Sequence, residues 1–389
     1  MQIAARPRRR DLTIDVLRAF CIVSMTAAHV AAGSVVYGAT HALLWFDGAM
    51  GFVLLSGLVV GMVHRATAER LGFKAARTKA WHRAGVVYAA HVAICALAFV
   101  VATLSPLQDA RYAGAHDFDA WWQPVLAALT LQINPTNASI LSLYVILLLL
   151  TPIATWALLR RKPWILGAMT IALYIAGQVF PDAFTLPRMP GVQGQIDWAT
   201  WQALYFSALA IGWFWSAIRG RLRRPSGWTS LLVVAASAGA LARVRLRVIP
   251  DAQAGSWRFV DWLFDDGALG LGTILLALAV IGGLYGALAP LSERAPRLAG
   301  ELGRIGRRSL DCYVILSTFV ILMPVFWRPD TRSIEAVAYG AGLLGLMWVW
   351  CWIRDRRVAK HSTRPPAEDP AGPAGTATPF SLLTESAAD

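Results

Sequence analysis

A chain of 389 residues could form two or three soluble domains. Its 57% hydrophobic content, only 15% charged residues and mean hydropathy of +0.51 argue for a membrane protein instead, since a soluble globule carries about 25% charged residues. The net charge of +13 raises the question of a nucleic-acid partner, and the placement of the charges, described below, argues against one.

In chain order, residues 1–12 form a basic N-terminus with Arg6 and Arg8 to Arg10. Apolar segments of spanning length follow at approximately 13–34, 44–63, 84–104, 140–159, 164–180, 199–218, 228–242, 268–291, 309–327 and 333–353. Each matches the roughly 30 Å of a bilayer's hydrocarbon core, and the seventh is the weakest. Many of the seventeen Trp residues sit near segment ends, as an interfacial aromatic belt requires. Arg8 to Arg10 and Val30-Ala31-Ala32 also fit a cleaved signal sequence, but the first apolar stretch is long and nine more follow. The expectation is an all-α, polytopic integral membrane protein of about ten helices. Its membrane domain would cover residues 13–353 and be followed by a disordered cytoplasmic tail at 354–389.

Lys and Arg test that topology independently. With the N-terminus inside, 27 of the 36 fall in inside segments, eight in outside loops, and Arg18 within the first helix. The positive-inside rule therefore puts both termini in the cytoplasm of a cell inner or plasma membrane protein. It also explains the net charge without nucleic acid. Between the third and fourth spans, the apolar piece Trp121 to Ile133 is broken by Pro124 and too short to cross, so it lies in the interface or re-enters. Cys21, Cys95, Cys312 and Cys351 all lie in apolar segments without a C-x-x-C pair and read as packing residues.

Ionisable residues inside a span cost roughly 2.5–3.5 kcal/mol each at mid-helix and demand an explanation. The first helix holds Asp15, Arg18 and His29. Asp15 and Arg18, three apart, are placed to pair. Arg18 and His29, eleven apart, lie within about 20° of one line and about 16.5 Å apart along the axis. A phosphate-bearing donor would find a cation at the inner mouth and a general base further in. The plainer alternative has Arg18 snorkelling to headgroups and His29 bonding a neighbouring helix. In the second span Asp47 sits at about the depth of His29, either to orient the imidazole or to cap the helix. Ser56 and Gly57 follow, with Gly57 and Gly61 forming a G-x-x-x-G suited to close helix contact. In the third span Arg83 marks the inner face, and Tyr88 and His91 lie deeper, His91 as a cavity residue or a structural one. His41, His64, His82, His116 and His361 read as helix-end or loop residues with no ligand spacing, so no metal site is expected.

Arg10-Asp11-Leu12-Thr13-Ile14-Asp15-Val16-Leu17-Arg18, followed by ten residues and His29, resembles the R-x10-H signature of the membrane acyltransferase family 3 superfamily. Phe52-Val53-Leu54-Leu55-Ser56-Gly57, and Arg83 with Tyr88 and His91, resemble motifs of its OpgC branch, named for succinylation of periplasmic glucans. So do Leu131 to Pro135, Ile140 to Tyr144 with Pro152, Trp201-Gln202, and Gly306-Arg307-Arg308-Ser309-Leu310. The resemblance implies an enzyme that moves an acyl group, succinyl among them, from a cytoplasmic acyl-CoA-type cosubstrate to an extracytoplasmic envelope glycan, with no bound cofactor. Its partners would be donor, glycan and membrane lipids. Arg18, with Arg83, would bind the donor, His29 would accept the proton and Asp47 would assist it. Asp15, Ser56, Gly57, Tyr88 and His91 would shape the cavity. Met50 departs from the family's usual acid at that position, and Asp265-Asp266-Gly267 stands where the branch carries basic residues. The alternative is a transporter, flippase or scaffold in a glycan-synthesis complex.

Overall fold

The computed structural model describes residues 10–104, 120, 122–135, 138–186, 196–248, 255, 257–265, 267–326 and 330–362. Most of the basic N-terminus, the tail beyond Ser362, His116 and several loop charges, among them Arg111, Arg188, Asp251 and Arg328, lie outside them.

The chain is almost wholly helical. Its helices are α1 (Leu12–Val30), α2 (Val35–Thr40), α3 (Gly48–Leu104), α4 (Trp122–Leu129), α5 (Ser139–Leu159), α6 (Pro163–Val179) and α7 (Pro181–Phe184). These are followed by α8 (Trp198–Trp213), α9 (Trp215–Leu222), α10 (Pro225–Arg243), α11 (Arg258–Leu263), α12 (Leu271–Arg294), α13 (Pro296–Leu302), α14 (Arg304–Arg307), α15 (Ser309–Phe326) and α16 (Ile334–Ser362). Among the described residues, β1 (Thr185–Leu186) pairs antiparallel with β2 (Ile196–Asp197) just before α8.

Among the described residues six helices are long and apolar enough to cross a membrane: Leu12–Val30, Gly48–Leu104, Ser139–Leu159, Pro225–Leu246, Leu271–Arg294 and Ile334–Val358. Pro163–Val179 and Ser309–Met323 are apolar but shorter. This is a membrane protein by length and composition, with six such helices where about ten crossings were expected. Part of the difference is Gly72. Its φ of 82°, open to glycine at no steric cost, joins the expected second and third segments into one long helix with a break. The segment read as weakest is among the six: its helix starts earlier, at Pro225, and π-type turns carry it on from Arg243 through Val244–Val248. At the C-terminal end, α16 continues past residue 353 to Ser362.

Local chemistry sets the helix boundaries. Asp11 caps α1, accepting from Thr13 N at 3.2 Å, and Asp197 caps α8, accepting from Ala199 N at 2.7 Å and Thr200 N at 3.1 Å. Proline opens α6, α7, α10 and α13, where its missing N–H has no helical partner to lose. α4 is a single short helix of eight residues, as its broken apolar run implied. In the packed interior α3 lies against α5 and α8, α10 against α12, and α6 against α8. The G-x-x-x-G makes the α3–α8 contact. A Cβ at Gly57 would strike the Tyr205 carbonyl, and one at Gly61 would come within 2.9 Å of Trp213 N. α1 is the hub, packed against α3, α12, α13, α14, α15 and α16.

Candidate functional site

The polar face of α1 points into this hub. Arg18 donates from Nη2 to the Ser309 hydroxyl at the start of α15, and its guanidinium lies 6.0 Å from the Phe52 ring of α3. Its Nε is buried with no hydrogen-bond partner. Asp15, Tyr144 and Arg83 all lie within its electrostatic reach, and Arg83 in turn feels Asp311 and Tyr144. The structure thus brings together the two arginines proposed for the donor. Arg83 is exposed, whereas Arg18 is half-buried.

Aromatic rings pack around the Arg18 guanidinium. Phe52 meets Tyr144 edge-on at 5.7 Å and stacks with Tyr313 at 6.1 Å, and Tyr144 meets Tyr205 at 6.5 Å. Tyr144 donates to the Phe52 carbonyl at 3.0 Å and interacts with Ser56, and Thr151 and Tyr205 share a hydrogen bond of 3.1 Å. These hydroxyls satisfy one another inside the bundle, so the ring cluster is stiff. A stiff wall holds a guanidinium in one place.

Ser309 reaches Arg18 because of a glycine. A Cβ at Gly306 would collide with the Asp15 carbonyl oxygen and come within 2.8 Å of Ala19 N. Only glycine lets α14 lie this close to α1. The Gly306-to-Ser309 stretch was legible in the sequence as a motif, but its contact with Arg18, across 291 residues, was not.

The pairing at the start of α1 differs from the sequence expectation. Asp15 is hydrogen-bonded by Arg10, at 2.7 Å from Nε and 3.2 Å from Nη2, while Arg18 acts on it through its field. Arg10 precedes the helix, where the chain is free to fold back over the first turn, so the helical spacing argument did not include it. Arg18 is left with a neutral hydroxyl as its described acceptor.

Further along α1, His29 is half-buried in the last turn, on the same side as Arg18 by helical spacing. Asp47 takes the capping role: its Oδ1 accepts from Met50 N at 2.7 Å at the start of α3. A Cβ at Gly48 would meet Ser24 Oγ at 2.8 Å, which fixes the start of α3 against α1 about 7.5 Å along the axis from His29. Cys21, buried between them, lies in the fields of both Asp47 and Arg18.

His91 belongs to a separate network. Its Nδ1 bonds Ser142 Oγ at 3.1 Å, and Ser142 donates to the Asn134 side chain. Cys95 Sγ lies 3.4 Å from His91 Nε2. Tyr88 donates to the Leu129 carbonyl at 2.8 Å, and Asn134 to the Leu131 carbonyl at 2.9 Å. Tyr88 and His91 thus pin the turn after α4, where Leu131 has a φ of 61°, onto α3 and α5. His64, read from sequence as a helix-end residue, is buried inside α3 and bonds Thr155 at 3.2 Å. His82 and His361 also lie within helices, α3 and α16.

Two cavities flank the bundle. One of about 360 Å³ is lined by Phe73, Pro152, Ile153 and Trp156, and one of about 90 Å³ lies between α1 and α16 beside Thr26 and Gly340. Neither is lined by Arg18, His29, Asp47 or His91. Among the described residues no group of His, Cys, Asp or Glu is arranged to hold a metal ion.

Comparison with known proteins adds one finding. The family model described as OpgC protein matches residues 10–358. No curated protein and no solved structure matches the chain.

Proposed function

Because the chain belongs to the OpgC protein family over nearly its whole length, we propose that it is a membrane-embedded O-acyltransferase that modifies an envelope glycan. The donor is an acyl-CoA-type thioester reaching the basic, cytoplasmic end, and succinyl is one of the acyl groups it carries. The acceptor is a glycan hydroxyl on the far side. Both termini face the cytoplasm, a reading supported by the 27-to-8 division of Lys and Arg.

One observation carries the proposal. Arg18 is a guanidinium inside a helical bundle whose described hydrogen bond goes to a hydroxyl and whose Nε has no acceptor. A buried cation kept for structure is normally paired with a carboxylate. Asp15, the acid closest in sequence, acts on Arg18 through its field, while its hydrogen bonds go to Arg10. The unused donor is suited to an anionic ligand.

In the proposed step the acceptor hydroxyl gives its proton to a neutral His29 imidazole while its oxygen attacks the thioester carbonyl. The carbon–sulfur bond then breaks, and the leaving thiolate takes the proton back from the imidazolium. Arg18 and Arg83 hold the donor's anionic part, and Asp47 keeps the His29 end of the pocket in register by anchoring α3.

Mass spectrometry of envelope glycans tests this reading. Deletion of the gene and the His29→Ala variant should both remove the acyl esters, with the variant protein present at the wild-type level. Esters unchanged in the deletion strain would overturn acyl transfer in favour of transport or scaffolding.

A further inference from the structure

A second concentration of positive charge lies beside the Arg18 site. Three guanidiniums from α14 and the residue after it converge on one carboxylate of α16. Asp355 receives Arg308 Nε at 3.0 Å, Arg304 Nη1 at 3.4 Å and Arg307 Nη2 at 3.7 Å. Their side chains are 12%, 27% and 23% exposed for Arg304, Arg307 and Arg308, so these are packed groups and not arginines extended freely into headgroups.

The three are not equivalent. Arg304 is fully engaged: it also pairs with Glu301 and lies 5.1 Å from the Trp348 ring. Arg307 donates to the Gly300 carbonyl at 3.1 Å, but its Nε is buried with no partner. Arg308 has Asp355 alone as its described acceptor. Nearby charges cancel elsewhere, Arg10 against Asp15 and Arg354 against Asp311 at 3.9 Å. Around Asp355 they do not: three cations face Asp355 and Glu301, Asp15 adds its field at Arg307, and Arg18 is one residue away through Ser309.

Resting on the donor reading above, we propose that Arg307 and Arg308, continuous with Arg18, form a subsite for the phosphate groups of a CoA thioester. Asp355 holds the guanidiniums in place until the ligand arrives. A phosphate offers several acceptor oxygens at higher charge than one carboxylate, and arginine forks match it bidentately. The excess charge then has a use, and the acid becomes a competitor of the ligand. An anionic lipid headgroup offers the same chemistry, so the test separates the two sources.

The experiment uses the full chain in phosphatidylcholine nanodiscs, titrated with CoA and with pantetheine, which lacks the phosphates. The Arg307→Ala/Arg308→Ala double variant should weaken CoA binding about tenfold or more, the loss of charge-assisted contacts. Asp355→Asn should tighten it by about threefold, because the competing charge is gone. Pantetheine binding should be the same in all three proteins. A purely structural ion cluster gives no such opposition of sign. Affinities that move together, or that do not move, would overturn the subsite. So would unchanged CoA affinity accompanied by lost retention of phosphatidylglycerol in a parallel set of nanodiscs containing that lipid, which would assign the arginines to a headgroup. If envelope esters still depend on His29 while CoA affinity ignores Arg307 and Arg308, the subsite alone is wrong. Esters indifferent to gene deletion would remove both readings.

Discussion

Replacing Arg18 by methionine separates a ligand-binding cation from a structural one. A guanidinium at mid-helix in a membrane costs roughly 2.5–3.5 kcal/mol. The return in this site is small and can be itemised: one hydrogen bond from a charged donor to Ser309, about 1.5–3 kcal/mol, and a cation–π contact with Phe52 at the 6.0 Å limit, about 0.5–1 kcal/mol. The unpaired Nε keeps part of the desolvation cost in place. The two sides nearly cancel, and methionine fills similar volume without the charge. Arg18→Met is therefore expected within about 1 kcal/mol of wild-type stability, a shift in apparent Tm of no more than about 2–4 °C. Thermal unfolding followed by the fluorescence of the seventeen Trp residues measures it in detergent. Glycan esters should be lost in the same variant. A cation buried for structure behaves otherwise: breaking its pairing costs about 3–5 kcal/mol. A Tm many degrees lower, with ester content falling only in proportion to folded protein, would refute the ligand-binding role.

Other expectations follow from the same contacts. His91→Ala should lower stability by about 2–3 kcal/mol, since Ser142 loses a buried partner, yet ester formation per folded molecule should persist. Gly57→Ala should cost about 1–3 kcal/mol by driving a Cβ into the Tyr205 carbonyl, whereas Gly85→Ala, with open space around it, should stabilise α3 by up to about 1 kcal/mol. Paired melting curves test both. Asp197→Ala should lower stability by about 1 kcal/mol through loss of the α8 cap. Burial pushes the Asp197 carboxyl above the usual carboxylate range, against the opposing bonds from Thr200 and Ala199. Its neutral form thus favours the fold, and stability is lost as pH rises through the folded pKa. Asp197→Asn should consequently melt higher than wild type at neutral pH, with the gap closing on acidification.

What the sequence revealed depended on whether the information was local. The Arg18–His29 spacing follows from helix geometry alone, and the structure keeps both on one continuous helix. The i,i+3 rule placed Arg18 in the field of Asp15, but it applies only inside a helix and so missed Arg10, which reaches back from before its start to make the hydrogen bonds. His64 was placed at a helix end because apolarity stops near residue 63. Hydrogen bonding does not, and α3 runs on to the glycine break at Gly72. The number of spanning helices was harder still, since an apolar segment says nothing of how many residues its helix will contain. Ser309 and Asp355 lay beyond any local rule, being brought to the site by packing across most of the chain.

Two glycines show why a long ordered match can hold so few reactive groups. Gly57 sets the distance between α3 and α8, and so fixes Phe52, five residues earlier on α3, against Arg18. Gly306 sets the distance between α14 and α1, and so delivers Ser309 to the same guanidinium from the opposite side. Each sits in a motif whose polar members draw the eye, but the glycine determines whether those members meet. A side chain at either position would have to displace backbone, and a helix moved by even an ångström would take Phe52 or Ser309 out of reach of Arg18. Family motifs in a bundle of this kind are thus constraints on helix spacing first, with the chemistry left to the few polar groups that the spacing admits.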